Sequence, residues 1–108
     1  IAPSDIDVHD PKKWQDKILC STDERLLFER LLEQDFFDSY RSIHEASKSF
    51  SWWDYRQASF RRNIGLRIDH ILLSNSLKTS LTEAGISKGP RKLEKPSDHA
   101  PCWVKIKL

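Results

Sequence analysis

The sequence predicts a small α/β protein in which helices and basic loops lie against one sheet, and three observations carry that prediction. One segment has the spacing of a capped amphipathic helix, several short runs rich in aromatic and β-branched residues have strand length, and proline and glycine punctuate the loops between them. The chain has 108 residues, 38% hydrophobic and 31% charged, with three glycines and five prolines. That length holds one domain with a single modest core, which excludes a self-contained enzyme with a deep two-sided cleft. No run approaches the roughly 20 apolar residues that span a bilayer. The opening residues Ile1-Ala2-Pro3-Ser4 have neither the basic nor the apolar part of a signal peptide.

The elements follow in order. Residues 1–20 read as a long loop with one helical turn near Trp14, because Ala2 and Asp10 each precede a proline and are pushed away from helix. Ser21 and Glu24 have capping-box spacing, and Leu26, Leu27, Leu31 and Leu32 follow with Phe28 alongside. A helix is therefore predicted from Thr22 to about Gln34, its apolar stripe packed on a sheet. Phe36, Phe37 and Tyr40 form a short aromatic segment, and Ser42 to Ser49 is polar enough to be a loop. Phe50 to Arg56 has strand length, with Trp52 and Trp53 on opposite faces and Trp53 in the core. After a basic loop from Gln57 to Gly65, the run from Arg67 to Leu73 is nearly continuously apolar and predicts a buried strand over residues 67–74. Residues 76–87 predict a short helix and a weak strand, Gly89-Pro90 opens a loop reaching Ser97, and Trp103 to Leu108 alternates as a closing strand.

A net charge of +2 is too small to announce a nucleic-acid partner, but acids are favoured before Phe50 and bases after it. Arg56, Arg61, Arg62, Arg67, Lys88, Arg91, Lys92 and Lys95 are candidate phosphate contacts, set against ordinary solvated surface. Cys20 and Cys102 lie far apart with no CxxC or histidine spacing, which fits reduced thiols and gives no metal framework. Two acids stand where acids are expensive. Asp69 lies inside the apolar run, and Asp98 precedes His99 just before the last strand. If strands 67–74 and 102–108 are neighbours, Asp69 faces His99 and fixes its tautomer, a dyad suited to proton transfer or to stabilising charge on phosphorus. On the residues alone the alternative stands that Asp69 caps a loop and His99 merely packs.

Four segments read together narrow this: Ile1-Ala2-Pro3-Ser4-Asp5-Ile6-Asp7, Phe50-Ser51-Trp52-Trp53-Asp54-Tyr55-Arg56, Asn63-Ile64-Gly65-Leu66-Arg67-Ile68-Asp69, and Glu94-Lys95-Pro96-Ser97-Asp98-His99-Ala100-Pro101. In this order they resemble the exonuclease III family of abasic-site endonucleases. The last motif alone marks only the wider endonuclease/exonuclease/phosphatase superfamily. The resemblance covers nearly the whole chain and implies half of a four-layer, DNase I-like α/β sandwich, with a mixed, mostly antiparallel sheet and helices on one face. Residues 1–108 would be the C-terminal half of that domain. The Gly-Asp-x-Asn motif, metal-binding glutamate and active-site tyrosine that the family places before the position of Ile1 are not in the chain.

By resemblance, His99 is the catalytic histidine, Asp69 the acid that orients it, and Asp98 the acid that activates or positions the attacking water near the metal, Mg²⁺ or Mn²⁺, and binds that metal. Trp52, Leu66 and Ile68 align with an apolar pocket for a flipped abasic sugar. Arg56, Asn63 and Arg67 align with DNA phosphates, Arg67 having the alternative of pairing with a buried acid. Leu66 stands where some relatives have tryptophan, and Cys102 where valine is usual. The implied reaction is in-line attack of water on the phosphodiester 5′ to an abasic site, with 3′-to-5′ exonuclease capacity. The implied partner is double-stranded DNA with abasic sites or 3′ ends, with no membrane partner. The implied setting is a monomeric, nucleoid-associated enzyme of the bacterial cytoplasm, whose other half completes the site and without which this chain is inactive. A phosphatase or lipid phosphodiesterase of the same superfamily, or a non-catalytic DNA-binding fragment, are the alternatives.

Overall fold

A computed structural model describes residues 1–108. In place of the one sheet expected from the sequence it has three separate antiparallel two-stranded sheets. β1 (Phe36–Asp38) pairs with β4 (Leu72–Ser74), β2 (Trp52–Trp53) with β3 (Gly65–Leu66), and β5 (Leu81–Ile86) with β6 (Cys102–Ile106). Single antiparallel bridges, Val8 to Leu66 and Trp52 to His99, link further segments to β2 and β3. The helices are α1 (Pro11–Trp14), α2 (Thr22–Leu32) and α3 (Ser39–Ile43). α2 packs against β1, and α3 against β1 and β5. The expected α/β class holds, and every pairing is antiparallel. No helix is long and apolar enough to cross a membrane.

Local chemistry sets the helix starts. Asp10 accepts the Lys13 amide at 3.2 Å ahead of Pro11, giving α1 the turn expected near Trp14. At α2 the Ser21 hydroxyl accepts the Glu24 amide at 3.2 Å, and the Glu24 carboxylate takes the Ser21 hydroxyl at 2.7 Å and the Leu19 amide at 2.9 Å. The Ser21 hydroxyl is the main reason the Glu24 carboxyl lies below its ordinary range. The expected burial of the α2 stripe is not found: no residue of α2 is buried, and Leu26, Leu27 and Leu31 are exposed. Polar tethers hold the helix instead. Arg25 donates to the Ala2 carbonyl and to Asp5, each at 3.0 Å, and Phe28 lies 5.1 Å from the His70 ring.

Two predicted strands are shorter than the sequence implies. The segment from Phe50 to Arg56 keeps two strand residues, because the Asp54 carboxylate accepts the Arg56 amide at 2.9 Å and turns the chain. The predicted strand over 67–74 is paired only from Leu72 onward. Buried amides need partners, and here they find them off the ladder: Arg67 donates to the Asp7 carbonyl at 2.8 Å, and Ile68 and Asp69 both donate to the Ser51 hydroxyl at 3.0 Å. The final strand pairs with β5 and not with residues 67–74.

Two small apolar clusters form the core: Ala2, Val8, Cys20 and Leu66 in one, and Phe50, Trp53 and Ala100 in the other. Trp53 is fully buried, as its predicted place on the inner face requires, and both cysteines are free thiols. The expensive charge of the apolar run is Arg67, with a side chain 1% exposed, whereas the Asp69 side chain is 36% exposed. Arg67 donates through Nε to Asp7 at 2.7 Å and through Nη1 and Nη2 to Asp38 at 3.1 and 2.5 Å. Arg41 adds a second cation on Asp7 at 2.5 Å. The Arg67 guanidinium also lies 5.2 Å from the Tyr40 ring centroid.

Breaking a buried pair from one side leaves an uncompensated charge, so Arg67→Ala is expected to lower stability by about 3–5 kcal/mol in urea unfolding. The network also sets an acid profile. Burial, with the Arg67 charge, holds the His70 ring below its ordinary 6.5. The unfolded ring takes up a proton that the native ring refuses, so stability falls as pH drops below about 6.5. For Asp38 burial pushes the carboxyl upward, but the Arg67 hydrogen bonds and charge, with the Arg41 amide, outweigh it and hold the group below 3.8. Its contribution is complete above that value and is lost as pH falls through its lower native value. The urea midpoint is expected to drop in two steps, with His70→Gln abolishing the first; an unchanged upper step in that variant contradicts this assignment.

Candidate functional site

The loop from Ser97 to Pro101 brings three polar side chains together. The His99 Nδ1 lies 2.8 and 3.1 Å from the two Asp69 carboxylate oxygens, so Nδ1–H donates to Asp69 and Nε2 is left for other work. Nε2 lies 3.9 Å from Asp98 Oδ1, while Asp98 Oδ2 accepts the Trp52 indole N–H at 3.0 Å. Side-chain exposures of 44% for His99, 36% for Asp69 and 37% for Asp98 make this an open ledge that a large polymer can reach. The sequence expectation that Asp69 faces His99 is met, through a different route. Asp69 lies outside any strand, and His99 comes alongside through its bridge to Trp52.

The backbone holds this arrangement at both ends. Trp53 donates to the Asp98 carbonyl at 3.1 Å, and Ala100 donates to the Ser51 carbonyl at 2.7 Å. Beneath Asp69, Cys102 directs its thiol at the Asp69 carbonyl at 3.7 Å. Burial, then the Asp69 charge, pushes that thiol up to about 11, so it stays neutral at physiological pH. Arg91 is 7% exposed, with its guanidinium 4.8 Å from the Phe60 ring and 5.6 Å from that of Tyr55, and it donates to the Ser97 carbonyl at 3.1 Å. It anchors the loop ahead of Asp98 and is not the surface phosphate contact expected from its charge.

Beside the ledge lies a recess of about 300 Å³ lined by Trp52, Leu66, Trp14, Ile64, His9 and Gly65, with Lys13 and Arg56 among its polar lining residues. Trp52 is half-buried and lines it. Leu66 has no accessible surface and belongs to the core cluster with Ala2, Val8 and Cys20, so its expected direct contact with a sugar is corrected to support from beneath. Ile68 packs on the same cluster and does not line the recess. Arg67 is corrected likewise: its guanidinium is sealed between Asp7 and Asp38, the alternative the sequence left open, and cannot reach a phosphate. Arg56 is exposed, and its side chain forms two hydrogen bonds with Asp54 that, with the one from its amide, lower that carboxyl to about 2. Asn63, at φ 55°, accepts the Trp53 indole N–H at 3.1 Å through its side-chain carbonyl oxygen.

Sequence reasoning missed Asp7, Asp38 and Ser51, which hold the site together. The one available signal was an arginine two residues before Asp69 in an apolar run. As a metal centre the donor set is incomplete: Asp98 Oδ1 is the free carboxylate oxygen of the ledge, and no three His, Cys, Asp or Glu side chains converge to hold an ion.

Residues 1–99 match the model of the endonuclease/exonuclease/phosphatase family, and the chain belongs to that family. It is 42% identical to the exodeoxyribonuclease III of Haemophilus influenzae over 114 aligned positions, which cover 99% of this chain and 43% of the relative. Among solved structures it resembles NExo, a 3′ phosphatase from Neisseria bound to a product DNA hairpin, with 44% identity and a TM-score of 0.98. It also resembles an AP endonuclease from Archaeoglobus fulgidus, with 34% identity and a TM-score of 0.93. Each superposition covers the whole chain and 42% of the other protein, so the chain spans less than half the length of these relatives. The DNase I-like fold expected from the sequence is thereby established. Proteins of this family are generally metal-dependent.

A Cβ on Gly65 would lie 2.6 Å from the Trp52 carbonyl oxygen and 2.7 Å from the Trp53 ring, so the β2–β3 ladder has no room for alanine. Gly65→Ala is expected to cost about 1–3 kcal/mol in urea unfolding and to shift tryptophan emission as Trp52 leaves Asp98. A variant with wild-type stability and emission contradicts this packing.

Proposed function

We propose that the chain is part of a divalent-metal-dependent DNA repair phosphodiesterase that cuts duplex DNA 5′ to abasic sites and removes nucleotides from 3′ ends. The observation that carries this is the open Asp69–His99 pair with Asp98 beside it, next to a recess lined by Trp52. In this reading Asp69 fixes His99 so that Nε2 faces the scissile phosphate, and Asp98 Oδ1 accepts a hydrogen bond from the attacking water. The water oxygen bonds to phosphorus, the bond to O3′ breaks, and O3′ takes up a proton, leaving a 3′-hydroxyl and a 5′-deoxyribose phosphate. Mg²⁺ or Mn²⁺, with Asp98 as one ligand and the others from outside these residues, would neutralise charge on the transferring phosphate.

Trp52 offers an apolar face to a sugar that lacks its base, where a normal nucleotide is too large. Arg56 and the Asn63 amide are placed to meet phosphates, Arg56 by exchanging Asp54 for one. Double-stranded DNA is the partner in this account, and the enzyme works as a monomer in the bacterial cytoplasm near the nucleoid. Likeness to a relative named as a 3′ phosphatase supports a second substrate, a 3′-terminal phosphate, at the same residues.

The test is Mg²⁺-dependent incision, by the intact polypeptide, of a duplex carrying one abasic site, with a 3′-phosphate duplex in parallel. His99→Ala and Asp98→Asn are each expected to lower kcat by about 10²–10⁴-fold. Loss confined to the 3′-phosphate duplex, with no abasic incision in the parent, assigns the phosphatase reading instead. Residues 1–108 alone are expected to leave both duplexes intact, since they carry one metal ligand. Cutting by them that disappears in His99→Ala overturns that part of the proposal.

A further inference from the structure

We propose that Ser51 is the positioning residue that sets Asp69 against His99, an inference that rests on the assignment of those two side chains to catalysis. Residues 67–70 belong to no strand, so nothing in a sheet ladder fixes the height or direction of Asp69. Its amide and that of Ile68 instead converge on one oxygen, the Ser51 hydroxyl, each at 3.0 Å. On the other side of the same residue, the Ser51 carbonyl accepts the amide of Ala100, the neighbour of His99, at 2.7 Å. The Ser51 amide donates to the Leu66 carbonyl at 3.0 Å, which closes the frame. Ser51 itself is 0% exposed, so no water can replace its hydroxyl without rearrangement. One small residue thus ties the two loops, its hydroxyl holding the segment that carries Asp69 and its main-chain carbonyl the loop that carries His99.

A hydroxyl is required for this role. Two converging N–H groups need an acceptor with two lone pairs, which a serine or threonine oxygen has and an alanine methyl lacks. Without it the two amides must seek other partners, the 67–70 segment shifts, and the Asp69 carboxylate leaves Nδ1. Misplacement of about 1 Å in a catalytic pair is enough to cost about 10²-fold in rate.

The experiment reads the tautomer of His99 from its ring ¹⁵N chemical shifts in the intact polypeptide at about pH 8.5, two units above the ordinary histidine value. An Asp69 carboxylate at Nδ1 holds the proton there, whereas an unconstrained neutral imidazole favours Nε2. Ser51→Ala is expected to move His99 toward the Nε2–H form while the His70 and His44 rings stay as they are. It is also expected to lower kcat on abasic duplex by about 10²-fold with KM little changed. Ser51→Thr keeps the hydroxyl and is expected to restore both readouts. Should the alanine variant not fold, Ser51→Cys, whose sulfur is a weak acceptor, is expected to show a partial shift in both. A folded alanine or cysteine variant that keeps the native tautomer and kcat overturns the inference, as does a folded threonine variant that restores neither. If the parent cuts no abasic duplex, the functional assignment fails on its own, and the tautomer readout still decides what Ser51 does.

Discussion

The structure depends on one buried cation. Arg67 holds Asp7 and Asp38 on its guanidinium, and through them it joins the N-terminal segment, β1 and the crossover from β3 to β4. In a molecule with nine buried apolar residues, seven of them split between two small clusters, such a knot has a large share in deciding the fold. A buried ion pair adds little stability over a well-packed apolar substitute, but leaving one partner alone is costly. Its effect is therefore to specify: alternatives in which the crossover takes another path must bury unpaired charge. The Tyr40 ring against the guanidinium and the His70 imidazole at its edge, 3.3 Å away, complete its surroundings.

That constraint reaches the candidate site through the backbone. Because Arg67 is drawn to Asp7, the chain leaves its ladder at residue 67 and returns to one at Leu72. The gap between is where Asp69 projects toward His99. A continuous strand would have given Asp69 a fixed alternation and a face in the sheet, while the irregular path leaves its direction to Ser51 and to the loop after Asp98. Trp52 acts in the same frame, with its indole N–H on Asp98 and its ring beside the recess. Acid, histidine and apolar face thus share a support made mainly of main-chain hydrogen bonds.

What was legible in the sequence was local or chemical in kind. Ser21 and Glu24 mark the start of α2 because a capping box involves residues three apart, and Trp53 could be placed inside because its neighbour takes the other face. Asp69, Asp98 and His99 stand out as residue types in improbable places, and the ordered motifs attach a chemistry to them. What was not legible depends on distant partners. Asp7 and Asp38 lie 60 and 29 residues from Arg67, so no window of sequence shows that the run around Asp69 is tied down by its arginine. Periodicity found the apolar stripe of α2 but does not say what covers it, and within these residues it stays exposed. Alignment and charge point to surface roles for Leu66 and Arg91, yet each is buried in a way that composition cannot express.

In the proposed reaction Asp69 acts through His99, as one unit, on a phosphodiester. A double-mutant cycle on kcat/KM for abasic-duplex incision, with Asp69→Asn, His99→Ala and both together in the intact polypeptide, tests it most directly. Adding Asp69→Asn to His99→Ala is expected to cost little more, because the carboxylate has no work once the imidazole is gone. Effects that multiply, each variant losing as much in the presence of the other as alone, would show two independent residues and contradict the account.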